Sequence, residues 1–144
     1  MDLIQIARQP VLSIHPEATV LEVCDVMAKE KVGALVVLAD GKLCGIISER
    51  DVVRRVAAKR RDPATTKVSE VMTVAVKTVT PTASAKTALE LMHLGSFRHL
   101  PMVDDAGQVI GMISVRDLLR HRIDELDLKN ADLVNFISAD GPGG

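Results

Sequence analysis

One short motif occurs twice in the sequence and brings a hydroxyl, a guanidinium and a carboxylate together. The segments GIISERD (45–51) and GMISVRD (111–117) each place Ser, Arg and Asp at the same offsets. In both copies an apolar stretch typical of a strand runs directly into the start of a helix. A helix N-terminus offers free backbone N–H groups and partial positive charge to a phosphate. The Asp could accept hydrogen bonds from both hydroxyls of a ribose, each worth roughly 1.5–3 kcal/mol, so the motif suits a nucleotide.

The same spacing also indicates a purely structural role. Ser48-x-x-Asp51 and Ser114-x-x-Asp117 fit the capping box, in which each side chain bonds the other residue's backbone N–H. Two copies of one ancestral unit would inherit the same cap. The motif alone therefore leaves both roles open.

The motif belongs to a longer internal repeat, which relates residues 11–55 to residues 76–121 with one gap opposite Ala106. The identical pairs include Pro16/Pro81, Met27/Met92, Leu35/Leu100, Gly41/Gly107, Gly45/Gly111, Ser48/Ser114, Arg50/Arg116, Asp51/Asp117 and Arg54/Arg120. A unit of about 45 residues rarely folds alone, so we expect the copies to pack face to face around a shared core.

Each unit predicts the element order β-α-β-β-α, which makes the fold class α+β. A β-rich run ends at a proline turn, and a capped helix follows from Thr19 or Ser84. ALVVLA (34–39) predicts a buried strand, and Asp40-Gly41 predicts a tight hairpin to the next strand. We expect repeat 1 at 1–62, a linker with a short helix at 63–75, repeat 2 at 76–122, and a helical extension with a disordered tail at 123–144.

The amino-acid composition argues against several classes of function. The chain has 144 residues, 47% of them hydrophobic, a net charge of −1, two Phe and neither Trp nor Tyr. This composition argues against aromatic base-stacking platforms, and there is no bulk basic field to attract nucleic acid. No stretch of about 18 apolar residues exists to span a membrane. Cys24 and Cys44 predict buried free thiols, so we expect a cytoplasmic protein.

The other residues that could bind a metal or take part in catalysis have simpler structural interpretations. No metal-ligand spacing and no Ser-His-Asp arrangement can be argued, so we predict neither a metal site nor an enzyme. His93 and His121 are expected on helix surfaces. A run of six basic residues comprises Arg50, Arg54, Arg55, Lys59, Arg60 and Arg61. This run could form a solvated helix face, contact a phosphate through Arg50 or Arg54, or bind nucleic acid.

The repeat as a whole resembles a pair of cystathionine β-synthase (CBS) domains, which form a Bateman module. The resemblance covers residues 8–122 and is dense in KVGALVVLADGKLCGIISERDVVR and FRHLPMVDDAGQVIGMISVRDLL. It implies two repeats packed sheet to sheet about a pseudo-twofold axis. It also implies two clefts between them that bind adenosyl ligands: AMP, ADP, ATP, NAD(H) or S-adenosylmethionine.

The resemblance assigns roles residue by residue. The motif Asp would bind the ribose diol, the motif Ser would lie near phosphate or ribose, and apolar side chains would sandwich adenine. The first cleft would combine Ser114, Arg116 and Asp117 with Ile14, His15, Val20, Val32, Gly33 and Ala34. The second cleft would combine Ser48, Arg50 and Asp51 with Val79, Thr80, Ala85, Phe97, Arg98 and His99.

Arg98-His99 makes the two clefts electrostatically unequal. In the related γ subunit of the AMP-sensing kinase, a His-Arg pair at this place reaches phosphates. Here the order is reversed, and repeat 1 has the uncharged Gly33-Ala34 instead. Several phosphates would be better neutralised near Arg98 and His99, although an exposed Arg beside a packed His is the structural alternative.

The expected function is a stand-alone sensor that binds an adenosyl ligand, AMP first and NAD(H) or ATP next. It would form a homodimer through its helices and act in trans on an effector protein of unknown identity. The alternatives are an interaction module with empty clefts, a nucleotide hydrolase and a weak nucleic-acid binder.

Overall fold

The computed structural model describes residues 3–129. The element order is mixed α+β, as the sequence predicts. A short 3-10 helix covers Leu3–Gln5, and the strands are β1 (Ser13–Ile14), β2 (Ala34–Ala39), β3 (Lys42–Ser48), β4 (His99–Val103) and β5 (Val109–Ser114). The helices are α1 (Val20–Glu30), α2 (Glu49–Asp51, continuing as a π-helix over Val52–Ala57), α3 (Val68–Val71), α4 (Ala85–Gly95) and α5 (Val115–Lys129). The predicted tail beyond residue 129 lies outside the described residues.

Repeat 1 forms a three-stranded sheet in the order β1-β2-β3. β1 runs parallel to β2, and β2 runs antiparallel to β3. Asp40 and Gly41 have φ values of 51° and 77°, the backbone that a tight two-residue hairpin needs. The hairpin prediction is therefore confirmed.

Repeat 2 keeps β4 and β5, but its first strand is reduced to one parallel bridge between Val79 and Met102. The cause is a proline. In repeat 1 the Val36 N–H donates to the Leu12 carbonyl at 3.2 Å. The equivalent residue in repeat 2 is Pro101, which has no N–H to extend the pairing.

Each repeat is completed by the segment that precedes the other repeat. Leu3 is buried in the repeat 2 core, and Arg8 exchanges backbone hydrogen bonds of 2.8 and 3.2 Å with Met112 of β5. In the same way, Val68 and Val71 of α3 are buried in the repeat 1 core. Thr73 exchanges bonds of 2.9 and 2.8 Å with Ile46 of β3. The predicted short helix before repeat 2 is therefore present, and it packs on repeat 1.

The two sheets meet through a small aliphatic cluster. Ala34 and Val36 of β2 pack with Met112 of β5, and all three are buried. Val109 and Ile46 cover this cluster from the sides. The expected packing of sheet against sheet follows, and it brings the two copies of the repeated motif to opposite sides of one interface.

No helix within residues 3–129 combines the length and the apolarity needed to cross a membrane. Cys24 and Cys44 are both free and half-buried.

Two glycines allow the crossed segments to approach the sheets, and they yield a matched prediction. A Cβ atom at Gly45 would lie 2.6 Å from the Thr73 carbonyl oxygen, whereas at Gly111 it would lie 3.1 Å from the Arg8 carbonyl oxygen. We expect Gly45→Ala to lower the free energy of unfolding by about 1–3 kcal/mol through overpacking. Gly111→Ala should cost clearly less. Urea unfolding of the two variants measures the difference, and equal losses would contradict it.

Candidate functional site

A cavity of about 380 Å³ lies between the two repeats. Both repeats and the linker between them supply its walls. Repeat 1 contributes Gly33, Ile46, Ser48, Glu49, Arg50, Asp51, Arg54 and Arg55; the linker contributes Thr73; and the repeat 2 side contributes Val76, Lys77, Gly95, Ser96, Phe97, Arg98 and His99.

This cavity coincides with most of the predicted second cleft. It brings together Ser48, Arg50 and Asp51 of repeat 1 and Phe97, Arg98 and His99 of repeat 2, all predicted there. The three remaining residues of that prediction lie elsewhere in the described chain. Val79 is buried in the repeat 2 core, Thr80 is exposed, and Ala85 lines a separate groove between α4 and α5.

Gly33, predicted for the first cleft, lines the second one. Its carbonyl accepts a 2.9 Å hydrogen bond from the Glu49 N–H, and the Glu49 side chain covers its Cα. The equivalent bond in repeat 2 joins the Val115 N–H to the Arg98 carbonyl at 2.8 Å. The repeats thus use one backbone contact to bring the residues before β2 and β4 beside the motif.

The other residues predicted for the first cleft differ in their exposure. Val20 is fully buried in the repeat 1 core, and Ala34 is buried between the sheets. Ile14 and Val32 are half-buried against the same core. The side chains of Arg116 and His15 are exposed. His15 Nδ1 accepts a hydrogen bond from the Glu17 N–H.

The repeated motif forms a capping box in both copies. Ser48 N–H donates to Asp51 Oδ2 at 3.0 Å, and Asp51 N–H donates to Ser48 Oγ at 3.3 Å. Ser114 and Asp117 exchange the same pair of bonds, at 3.2 and 3.1 Å. The structural interpretation of the motif is therefore realised at both helix starts. A cap uses only part of a carboxylate, so it leaves ligand binding possible.

Asp51 is more heavily engaged than Asp117. The Ser48 hydroxyl lies 3.2 Å from Asp51 Oδ2, the Thr73 hydroxyl donates to Oδ1 at 3.1 Å, and Arg55 Nε lies 3.8 Å from Oδ1. An ionised carboxylate has about four lone-pair positions, and these contacts leave about one of them. The vicinal hydroxyls of a ribose need two.

Asp117 has a largely free carboxylate. Among the hydrogen bonds of residues 3–129, its oxygens accept one, from the Ser114 N–H. Its side chain is half-buried and remains accessible. Asp117 therefore keeps acceptor positions for two hydroxyl donors, whereas Asp51 keeps about one. The sequence could not distinguish the two, because Thr73 lies in the linker far from the motif.

The second cleft concentrates positive charge. Its walls hold five cationic side chains against the carboxylates of Glu49 and Asp51; the cations are Arg50, Arg54, Arg55, Lys77 and Arg98. Arg50 also ties the repeats together, because its Nη1 donates to the Ser96 carbonyl at the C-terminus of α4, 3.3 Å away. Sequence reasoning missed Lys77 and Thr73, which no motif marks.

His99 lies in this wall of the cavity, and burial shifts the pKa of its imidazole. Its pKa lies below the ordinary histidine value because burial disfavours the charged imidazolium. The carboxylates of Asp117 and Glu49 oppose this effect, and the Arg98 guanidinium adds to it. His99 is therefore neutral at pH 7.

This depressed pKa predicts a pH dependence of stability. Below about pH 6.5 the unfolded chain binds a proton at His99 that the folded chain does not. The free energy of unfolding should therefore fall as the pH drops from about 6.5 towards the lower folded-state pKa. His99→Gln should make this slope shallower, and His93→Gln, exposed on α4, serves as the control. Chemical unfolding between pH 5 and 8 measures it; parallel curves for wild type and His99→Gln would contradict the assignment.

The comparisons with known proteins agree with this architecture. The CBS domain family model matches residues 3–58 and 68–124, so the chain belongs to the CBS domain family as a tandem pair. Within the described residues, no group of three or more His, Cys, Asp or Glu side chains is placed to hold a metal ion.

Solved structures share the fold. A CBS-domain protein from Burkholderia ambifaria is 32% identical with a TM-score of 0.81, over 86% of this chain and 95% of that one. A CBS domain protein from Pyrobaculum aerophilum, complexed with AMP, is 28% identical with a TM-score of 0.75, over 81% and 89% of the two chains.

Curated relatives are similar over most of this chain. An uncharacterised 17.7 kDa protein of Acidianus ambivalens is 38% identical over 83% of this chain and 72% of its own length. The mitochondrial CBS domain-containing protein CBSX3 of Arabidopsis thaliana is 39% identical over 74% of this chain. The chain spans 54% of CBSX3 and 23% of a similar inosine-5′-monophosphate dehydrogenase from Methanocaldococcus jannaschii.

Proposed function

We propose that this CBS pair is a sensor that binds an adenosyl ligand between its repeats and acts in trans on an effector protein. The observation that carries the proposal is the largely free carboxylate of Asp117 at the start of α5, which has acceptor positions for two hydroxyl donors. The cavity of about 380 Å³, in which motif residues of repeat 1 meet Phe97 and His99 of repeat 2, supports ligand binding between the repeats. The AMP complex of the similar Pyrobaculum aerophilum protein supports the choice of ligand class.

Ribose recognition is assigned to Asp117 in the first cleft. Its free carboxylate positions suit a vicinal diol, and the start of the long helix α5 offers N–H groups to a phosphate. The half-buried side chains of Ile14 and Val32 provide apolar surface of the kind that adenine packs against. AMP is the expected ligand, with ADP, ATP and NAD(H) as the other members of the class.

We infer binding rather than catalysis. A serine nucleophile needs a base that is free to take its proton, but the carboxylate beside the Ser48 hydroxyl is already engaged by the helix cap, Thr73 and Arg55. The Ser114 hydroxyl accepts a hydrogen bond from the Asp117 N–H as a helix cap. The chain would thus transmit the presence of bound ligand to a partner protein instead of converting the ligand. The expected cytoplasmic location stays a prediction.

Ligand-dependent stabilisation tests this function. A ligand that binds only the folded state at 100 times its Kd stabilises it by about 2.7 kcal/mol, so AMP should raise the melting temperature in differential scanning fluorimetry. ADP, ATP and NADH complete the panel. Asp117→Asn should remove the AMP response, whereas Asp25→Asn, exposed on α1, should keep it. A response to none of the four would instead favour the module with empty clefts.

The α5 surface supports a homodimer. Leu119, Ile123 and Leu126 follow one helical stripe and are 51%, 44% and 42% exposed. Beside this helix, Ala85 and Leu89 of α4 line a mainly apolar groove. A stripe of this kind on a surface marks an interaction site, and a second copy of the chain is the proposed occupant.

Charge reversal on this stripe tests the dimer. The double variant Leu119→Glu/Ile123→Glu should be monomeric at micromolar concentration, because two carboxylates per copy cannot be buried without partners. Val74→Glu, at an exposed linker residue, is the control and should stay dimeric. Light scattering coupled to size-exclusion chromatography gives the mass; a monomeric wild type would contradict the proposal.

A further inference from the structure

The charge of the second cleft exceeds what its own carboxylates neutralise. Arg54, Lys77 and Arg98 line the cavity, and within residues 3–129 none of their side chains makes a hydrogen bond or an ion pair. The chain as a whole carries a net charge of −1. A concentration of uncompensated cations inside one cavity, on a chain whose total net charge is −1, indicates an anionic ligand.

A break in helical geometry brings part of this charge to the cavity. Over Val52–Ala57 the backbone follows π-helical bonding, shown by the Ala58 N–H donating to the Val53 carbonyl at 2.8 Å. The wider turn lets both Arg54 and Arg55 line the cavity together with Arg50. The equivalent residues of repeat 2 lie in the regular helix α5. Single π-helical turns are rare and occur frequently at functional sites.

Asp51 gives this cleft little means of holding a ribose. Its carboxylate is 7% exposed and is already engaged by Ser48, Thr73 and Arg55. Freeing two acceptor positions would break the Thr73 bond or the cap. The second cleft therefore offers many phosphate-binding groups and almost no group for a sugar.

From these three observations we infer that the second cleft is a polyphosphate site. It recognises a chain of phosphate groups, carried by a nucleoside triphosphate or free as inorganic tripolyphosphate, and does not require the ribose. Arg54, Lys77 and Arg98 bind the phosphate oxygens, and Arg50 holds the two repeats in place around them. This inference deepens the proposed function and rests on it for the cavity being a ligand site.

The experiment uses the full chain with Asp117→Asn, which silences ribose binding in the first cleft. Isothermal titration calorimetry without magnesium compares ATP, AMP and inorganic tripolyphosphate. In this variant tripolyphosphate should bind within about tenfold of ATP, and AMP should bind much more weakly than either. Each charge-assisted contact is worth about tenfold or more. Adding Arg54→Gln and Lys77→Gln should therefore weaken tripolyphosphate at least about tenfold, whereas Lys59→Gln, exposed outside the cavity, should change it less than about twofold.

The outcomes separate this inference from the proposed function. If ATP binds Asp117→Asn but tripolyphosphate does not, recognition needs the nucleoside and the inference is overturned while the sensor proposal stands. Tripolyphosphate binding that Arg54→Gln/Lys77→Gln leaves intact places the anion elsewhere and also overturns it. If wild type binds neither AMP nor ATP nor tripolyphosphate, both proposals fail together.

Discussion

The structure depends on an exchange of segments between two half-modules, because each core is completed by side chains of the segment that precedes the other repeat. The chain before repeat 1 closes the second sheet through Arg8, and the chain before repeat 2 closes the first sheet through Thr73. Both closures require backbone to pass directly over a glycine of the opposing strand, Gly45 or Gly111. Because the apolar side chains of these segments belong to the opposite repeat's core, separating the repeats would expose both cores at once.

One inherited motif gives two chemically different sites because its surroundings differ. The capping boxes at Ser48 and Ser114 have nearly the same bond lengths, yet the linker hydroxyl of Thr73 reaches only Asp51. The crossed residue at the equivalent place in repeat 1 is Arg8, whose side chain instead pairs with Glu30. A carboxylate is thus free in one copy and occupied in the other. The π-helical turn after Asp51 places arginines at the cavity beside the occupied carboxylate.

Local and repetitive features could be predicted from the sequence, whereas contacts between distant segments could not. The Asp40-Gly41 hairpin, the caps at Thr19 and Ser84 and the α+β order follow from neighbouring residues, and all are present. The loss of the first strand of repeat 2 could have been foreseen from Pro101, which removes a pairing N–H. Thr73 reaches the cavity through the crossing of the linker and Lys77 from the start of repeat 2, and neither periodicity nor spacing encodes these contacts. The split between the two aspartates arises because the crossed segments carry Thr73 in one case and Arg8 in the other.

The hydrogen bond between Thr73 and Asp51 connects a wall of the cavity directly to the linker that joins the repeats. Arg55 strengthens this connection, because its guanidinium donates to the Val71 and Met72 carbonyls at 3.1 and 3.0 Å. A shift of Arg55 towards an incoming anion, with Asp51 moving away from it, would thus pull on the stretch of chain that closes the first sheet. Ligand binding in the cavity would therefore also shift the edge of the first sheet. A second macromolecule could bind that edge and respond to the shift without entering the cavity.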